Sequence, residues 1–141
     1  MYSNILLPID LDDPHSWTRP LAIAVELAQA HGAALHLTNV VPSFGMSLVS
    51  QFFPAGYEDQ MIAAARDRLA AFRREHVPDD VPGTSIVAQG SVHREVVAKA
   101  AELKCDLVII GHGRDPVAHF ILGSNGTRIV NESDVSVLIV R

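Results

Sequence analysis

The stretch "CDLVIIG", residues 105–111, sets four large apolar residues in a row between Asp106 and Gly111. A strand with one wet face alternates apolar and polar residues, whereas a strand covered on both faces does not. The run therefore reads as an inner strand of a parallel sheet. Before it, Val92, Val96, Val97, Ala100 and Leu103 recur at helical spacing. After it, a glycine-rich segment leads to a short helix over 124–131 and then to "VSVLIVR", residues 135–141, a terminal strand. A helix between two strands is the crossover that parallel pairing requires.

Toward the N-terminus the pattern repeats. "NILLPI" (4–9) reads as a buried strand running into the polar loop "DLDDPHS". From about residue 16 to 31, Leu21, Val25 and Ala28, with Ile23 and Leu27 beside them, give an amphipathic helix. Pro20 falls in its first turn, where a missing donor does least harm, and Gly32 supplies the left-handed residue that ends it. "AALHLTNVV" (33–41) is a strand closed by Pro42, and 43–57 carries aromatics, Gly and Pro without a clear period, as a connection would. Over 58–76, Met61, Ile62, Ala65, Leu69 and Phe72 share one helical face, with Arg66, Arg68, Arg73 and Arg74 mostly off it. "TSIVAQG" (84–90) is a short strand.

The string β-α-β-α-β-α-β-α-β predicts an α/β fold of three layers, a five-stranded parallel sheet with helices on both faces. Ligands of such sheets bind beyond the carboxyl ends of the strands, where the strand order reverses. Two loops have the chemistry for it: the one after the first strand, with Pro8 and Asp10, and the glycine segment after the fourth.

Composition narrows the function. With 141 residues, 48% of them hydrophobic, the chain fits one domain spanning 1–141. A net charge of -5 and the absence of a Lys/Arg block argue against a nucleic-acid partner. No apolar run approaches the roughly 20 residues of a membrane span. The opening "MYSNILLPID" has no signal-like segment, so the cytoplasm is the expected location. Cys105 reads as a buried small hydrophobe. The seven histidines, among them His112 and His119 beside the glycine segment, show no i, i+4 pair and no thiolate partners, so a structural metal is not expected.

"IIGHGRDPVAHFILGSNGTR" (109–128) holds four of the nine glycines. Gly111 and Gly113 allow a ligand close to the backbone. Gly123-Ser124-Asn125 opens a helix whose unpaired N–H groups suit a phosphate, with the Ser124 hydroxyl and Arg114 adding donors. The same residues also read as an ordinary turn and N-cap, and Gly126 as a close-packing position. Neither a Walker A loop nor the dinucleotide fingerprint is present. Asp10, Asp12 and Asp13 could hold Mg²⁺ beside a triphosphate, Asp12 and Asp13 reading equally as capping or solvated charges. No nucleophile–base pair is evident, so efficient ATPase chemistry is not expected.

"NILLPID", "HGAALHLTNVVPS", "GSVHREVVAKAAELKCDLVIIGHGR" and "LGSNGTRIVNESDVSVLIVR", taken together, resemble a universal stress protein domain across essentially the whole chain. The loop pattern is similar to the F/G branch of that family. Its ATP-binding members carry G-x2-G-x9-G-[ST]; here Gly113 and Gly123 match, whereas Ile110 stands where the first Gly would be and Gly111 comes one place late. The resemblance implies the Usp fold, related to the adenine nucleotide alpha hydrolases, with strand order 3-2-1-4-5. It implies ATP as ligand: Pro8 and Asp10 bordering ribose and adenine, Val40 meeting the base through its backbone, Ile110 and Gly111 closing the opposite side, and Gly113, Arg114, Gly123, Ser124 and Asn125 around the phosphates. Asp10 would also be the protein's contact to Mg²⁺.

It further implies a homodimer paired through the terminal strand, and a stress-response or regulatory role with at most slow hydrolysis or autophosphorylation. The alternative is an interaction module of the same fold that binds no nucleotide and regulates a protein partner, docking through Phe44, Phe52, Phe53 and Tyr57.

Overall fold

The computed structural model describes residues 1–43, 55–111 and 124–141. In chain order these form β1 (Asn4–Pro8), a 3-10 turn (Pro14–Ser16), α1 (Thr18–His31), β2 (Ala34–Val41), α2 (Tyr57–His76), β3 (Ser85–Gln89), α3 (Val92–Glu102), β4 (Leu107–Gly111), α4 (Ser124–Glu132) and β5 (Ser136–Val140). All the strands are parallel, in the order β3-β2-β1-β4-β5. The chain thus adopts the expected fold class and strand order.

The period of two along each strand sorts side chains into two apolar layers. Ile5, Leu7, Leu37 and Ile109 face α1 and α2, where Leu21, Ala24, Leu69 and Phe72 meet them. Leu6, Val40, Val108 and Ile110 face α3 and α4, against Val96, Ala100 and Ile129. Every residue of β4 is buried, which is why its sequence does not alternate. Each fully buried Leu or Ile contributes about 1.5–3 kcal/mol of transfer free energy.

Polar contacts set where the elements begin. Asp13 Oδ1 accepts from the His15 backbone N–H at 3.1 Å, so residues 14–16 close a 3-10 turn and α1 starts at Thr18 rather than at 16. Gly32 ends α1 in the left-handed region at φ 64°, its N–H reaching the Ala28 carbonyl. At the amino ends of the strands, Asp106 accepts from the Ser3 and Asn4 backbone N–H groups at 2.8 and 3.1 Å. Arg73 reaches off α2 to donate to the carbonyls of Leu35 (2.8 Å), Thr84 (3.2 Å) and Val81 (3.2 Å).

Burial shifts two titratable groups in this framework toward their neutral forms. His36 sits 2.8 Å from Thr84 Oγ1 and 3.2 Å from Asn4 Oδ1, and burial, with Arg73 nearby, pushes its pKa below the usual histidine value. The Cys105 thiol is buried, and that burial, reinforced by Asp106, pushes its pKa up to about 11. It packs with Val96, Ala100 and Val108 as a small hydrophobe. Among the described residues no helix is long and apolar enough to cross a membrane, and no three His, Cys, Asp or Glu side chains gather as a metal site would need.

Candidate functional site

The strand order reverses between β1 and β4, and chain leaves the sheet at the carboxyl end of each. Beside that point lies a cleft of about 460 Å³, bounded by the loop after β1, the end of β2 and α2. Asp10 and Leu11 line it from the loop after β1, Asn39 and Val40 from β2, and Met61 and Ala65 from α2.

Hydrogen bonds hold the loop after β1 in shape. Asp10 Oδ1 accepts from the Asp12 backbone N–H at 3.0 Å, and the Asp10 carbonyl accepts from the Asp13 N–H at 3.1 Å. The Ser16 hydroxyl donates to the Asp13 carbonyl at 2.7 Å. Burial raises the Asp10 pKa above the usual carboxylate value; the Asp12 N–H opposes this, while the Asp12 and Asp13 charges add to it. Asp12 is engaged elsewhere, because Arg68 Nη2 approaches its Oδ1 at 2.9 Å across the mouth of the cleft. Asp13 caps the 3-10 turn.

Val40 belongs to the cleft through its main chain. Along β2, the N–H groups of Leu35 and Leu37 donate toward β3, the Val41 carbonyl accepts from Gly90, and the Thr38 carbonyl accepts from Ile9 on the β1 side. In a parallel strand successive residues turn their peptide groups to opposite sides. The N–H and C=O of Val40 therefore point to the β1 side, past Pro8, the last paired residue of β1.

The other expected site residues fall in three groups. Pro8, Ile110 and Gly111 stand at the carboxyl ends of β1 and β4, beside the cleft rather than in its lining. Gly111 is packed tightly: a β-carbon there would overlap the carbonyl oxygen of Ser16 and come within 3.0 Å of Pro20 Cγ. Ser124 and Asn125 open α4, and Asn125 Oδ1 lies 3.3 Å from Nδ1 of the buried His93, which also faces Ser91 Oγ at 3.1 Å. Gly113, Arg114 and Gly123 lie outside the described residues, as do Phe44, Phe52, Phe53, His112 and His119.

Sequence reasoning missed Asn39, Met61 and Arg68 as cleft residues. Asn39 was detectable as the polar interruption of "HLTNVV", and Arg68 sits one residue from the buried Leu69 on α2. What placed them in a cleft is the packing of α2 on β2 and β3, beside the loop after β1.

The fold is that of an α/β protein with a cleft at the carboxyl edge of its sheet. The whole chain, residues 1–141, matches the universal stress protein family, and this protein belongs to it. Universal stress protein G of Escherichia coli O157:H7 is 31% identical over 144 residues, covering 100% of both chains. The universal stress protein UspA from Lactobacillus plantarum superposes with a TM-score of 0.71 at 22% identity, covering 99% of this chain and 98% of that one. A universal stress protein solved in complex with cAMP superposes with a TM-score of 0.59 at 25% identity, covering 99% of this chain and 97% of that one.

Proposed function

We propose that this protein binds an adenine nucleotide, ATP foremost, and acts as a dimeric stress-response or regulatory protein of the cytoplasm that hydrolyses its ligand slowly if at all. The observation that carries the reading is the cleft of about 460 Å³ at the carboxyl edge of the sheet, between the loop after β1, the end of β2 and α2, inside the roughly 300–1,000 Å³ typical of small-ligand sites. A related protein that binds cAMP supplies the ligand class.

In this reading the outward-turned peptide groups of Val40 offer a donor and an acceptor to the base, and Asp10 offers a carboxylate to the ribose. The start of α4 at Ser124 and Asn125 faces the phosphates with Gly113, Arg114 and Gly123, Pro8, Ile110 and Gly111 forming the floor between. Helix N–H groups and partial positive charge favour such an anion. Mg²⁺ would take most of its ligands from phosphate and water, with Asp10 as the one protein carboxylate. The whole chain, 1–141, acts as one domain.

Calorimetric titration of nucleotide-free protein with ATP and Mg²⁺ tests this. One saturable site per chain is expected, and Gly123→Val is expected to abolish it. No binding by the unmodified protein would overturn the reading.

A further inference from the structure

Asn39 is 8% exposed, yet it lines the cleft. Its Nδ2 donates to the Ile9 carbonyl at 2.9 Å. A carbonyl can only accept, so the amino half of the amide must be the half that faces Ile9, and the orientation is fixed by chemistry alone. Oδ1 is left as an acceptor. Among the described residues nothing donates to it, and it is not sealed in protein either, since it is absent from the buried atoms that lack a partner. A nearly buried acceptor held in one orientation, open only to a cleft, calls for a donor from whatever fills that cleft.

The cleft is graded in polarity. Its rim is charged and wet, with the Arg68 and Asp12 side chains 55% and 81% exposed. Its inner wall carries apolar side chains of α2, Met61 and the 9% exposed Ala65, beside the main chain of Val40. A sugar with its hydroxyls suits the rim and the Asp10 carboxylate, whereas a flat base suits the inner wall. The donor that reaches Asn39 is then on the edge of the base. Resting on the adenine-nucleotide reading above, we infer that Asn39 selects the base: its Oδ1 accepts a hydrogen bond from an exocyclic amino group and so favours a 6-amino purine over a 6-oxo purine.

With a 6-oxo purine, Oδ1 would face another carbonyl oxygen, two acceptors with no proton between them. Rejection of an analogue that strands a buried polar group is the strong form of discrimination. Asn39 acts here as a specificity residue beside the Val40 main chain.

The test is calorimetric titration of the unmodified protein, Asn39→Ala and Asn39→Ser with ATP and with ITP, which carries a 6-oxo group. The unmodified protein is expected to prefer ATP, and both variants to lose about tenfold of that preference, the size of one neutral hydrogen bond. A merely structural role would weaken both ligands equally and leave the ratio unchanged, which would overturn the inference while leaving nucleotide binding intact. Equal affinity of the unmodified protein for ATP and ITP would overturn it without recourse to a variant. Failure of the unmodified protein to bind either would overturn the nucleotide reading and this inference with it.

Discussion

Asp10 meets two opposing demands: a ligand cleft wants its charge, and partial burial disfavours that charge. Its folded pKa lies above the unfolded one, chiefly through desolvation, so the folded state holds the proton more tightly. Folding is therefore penalised above the raised pKa, and the penalty is relieved as pH falls through it. Asp10→Asn keeps an oxygen for the Asp12 N–H and removes the charge. It is expected to be more stable than the unmodified protein near pH 7, and to melt higher, by less than about 1 kcal/mol of stability, because water screens a partly exposed group. The advantage should shrink on acidification, and thermal melts across that range check it: an advantage that grew toward low pH would contradict the assignment. Neither this shift nor the acceptor of Asn39 was legible in "NILLPID" or "HLTNVV". Both depend on what α2 and the loop after β1 bring against those residues.

At the scale of elements, Gly111 shows how a site expectation and a packing reason can meet in one residue. The spacing of the glycine segment assigned it to a ligand; in the fold it admits the 3-10 turn against the end of β4, with Ser16 and Pro20 over its α-carbon. Gly111→Ala is expected to cost about 1–3 kcal/mol, the range for forcing atoms into a filled space. Gly32 is the control, since a β-carbon there meets nothing within 4 Å and only its left-handed φ resists substitution, at about 1 kcal/mol. Chemical denaturation of the two variants tests the ordering, and equal losses would show that the contact at Gly111 relaxes freely. The 3-10 turn itself was not foreseen, because "DPHS" can cap a helix or close a turn. The Asp13–His15 hydrogen bond decides between them.

At the scale of the whole molecule, β5 is an edge strand with an unusual surface. Leu138 and Ile139 are each 37% exposed and point to opposite faces of the sheet, while Val130 on α4 is 43% exposed. Beside Ile139, a hollow of about 200 Å³ is lined by Gly126, Thr127 and Val130. An apolar edge left open invites pairing, and charge on an edge is the usual device against it. Two chains are expected to pair through β5 in solution, and Leu138→Lys to shift the protein toward monomer. Sedimentation at micromolar concentration reads this out; an unmodified protein that is monomeric would refute the pairing.

The sequence by itself determined the five strands, the alternation with helices and the end of the sheet at which a ligand would sit. These rest on local periodicity and on turn residues such as Gly32 and Pro42, which act wherever they occur in a chain. It also marked Asp10, at the end of a readable strand, and, through the family resemblance, Val40. Only the tertiary structure decided that α2 packs on β2 and β3 and makes a cleft with the loop after β1, that Asn39 lines it, and that Arg68 pairs with Asp12 at its mouth. Those contacts join residues 30 to 56 positions apart in sequence, such as Asn39 with Ile9 and Arg68 with Asp12, and no local pattern encodes which of two possible neighbours a buried side chain will meet.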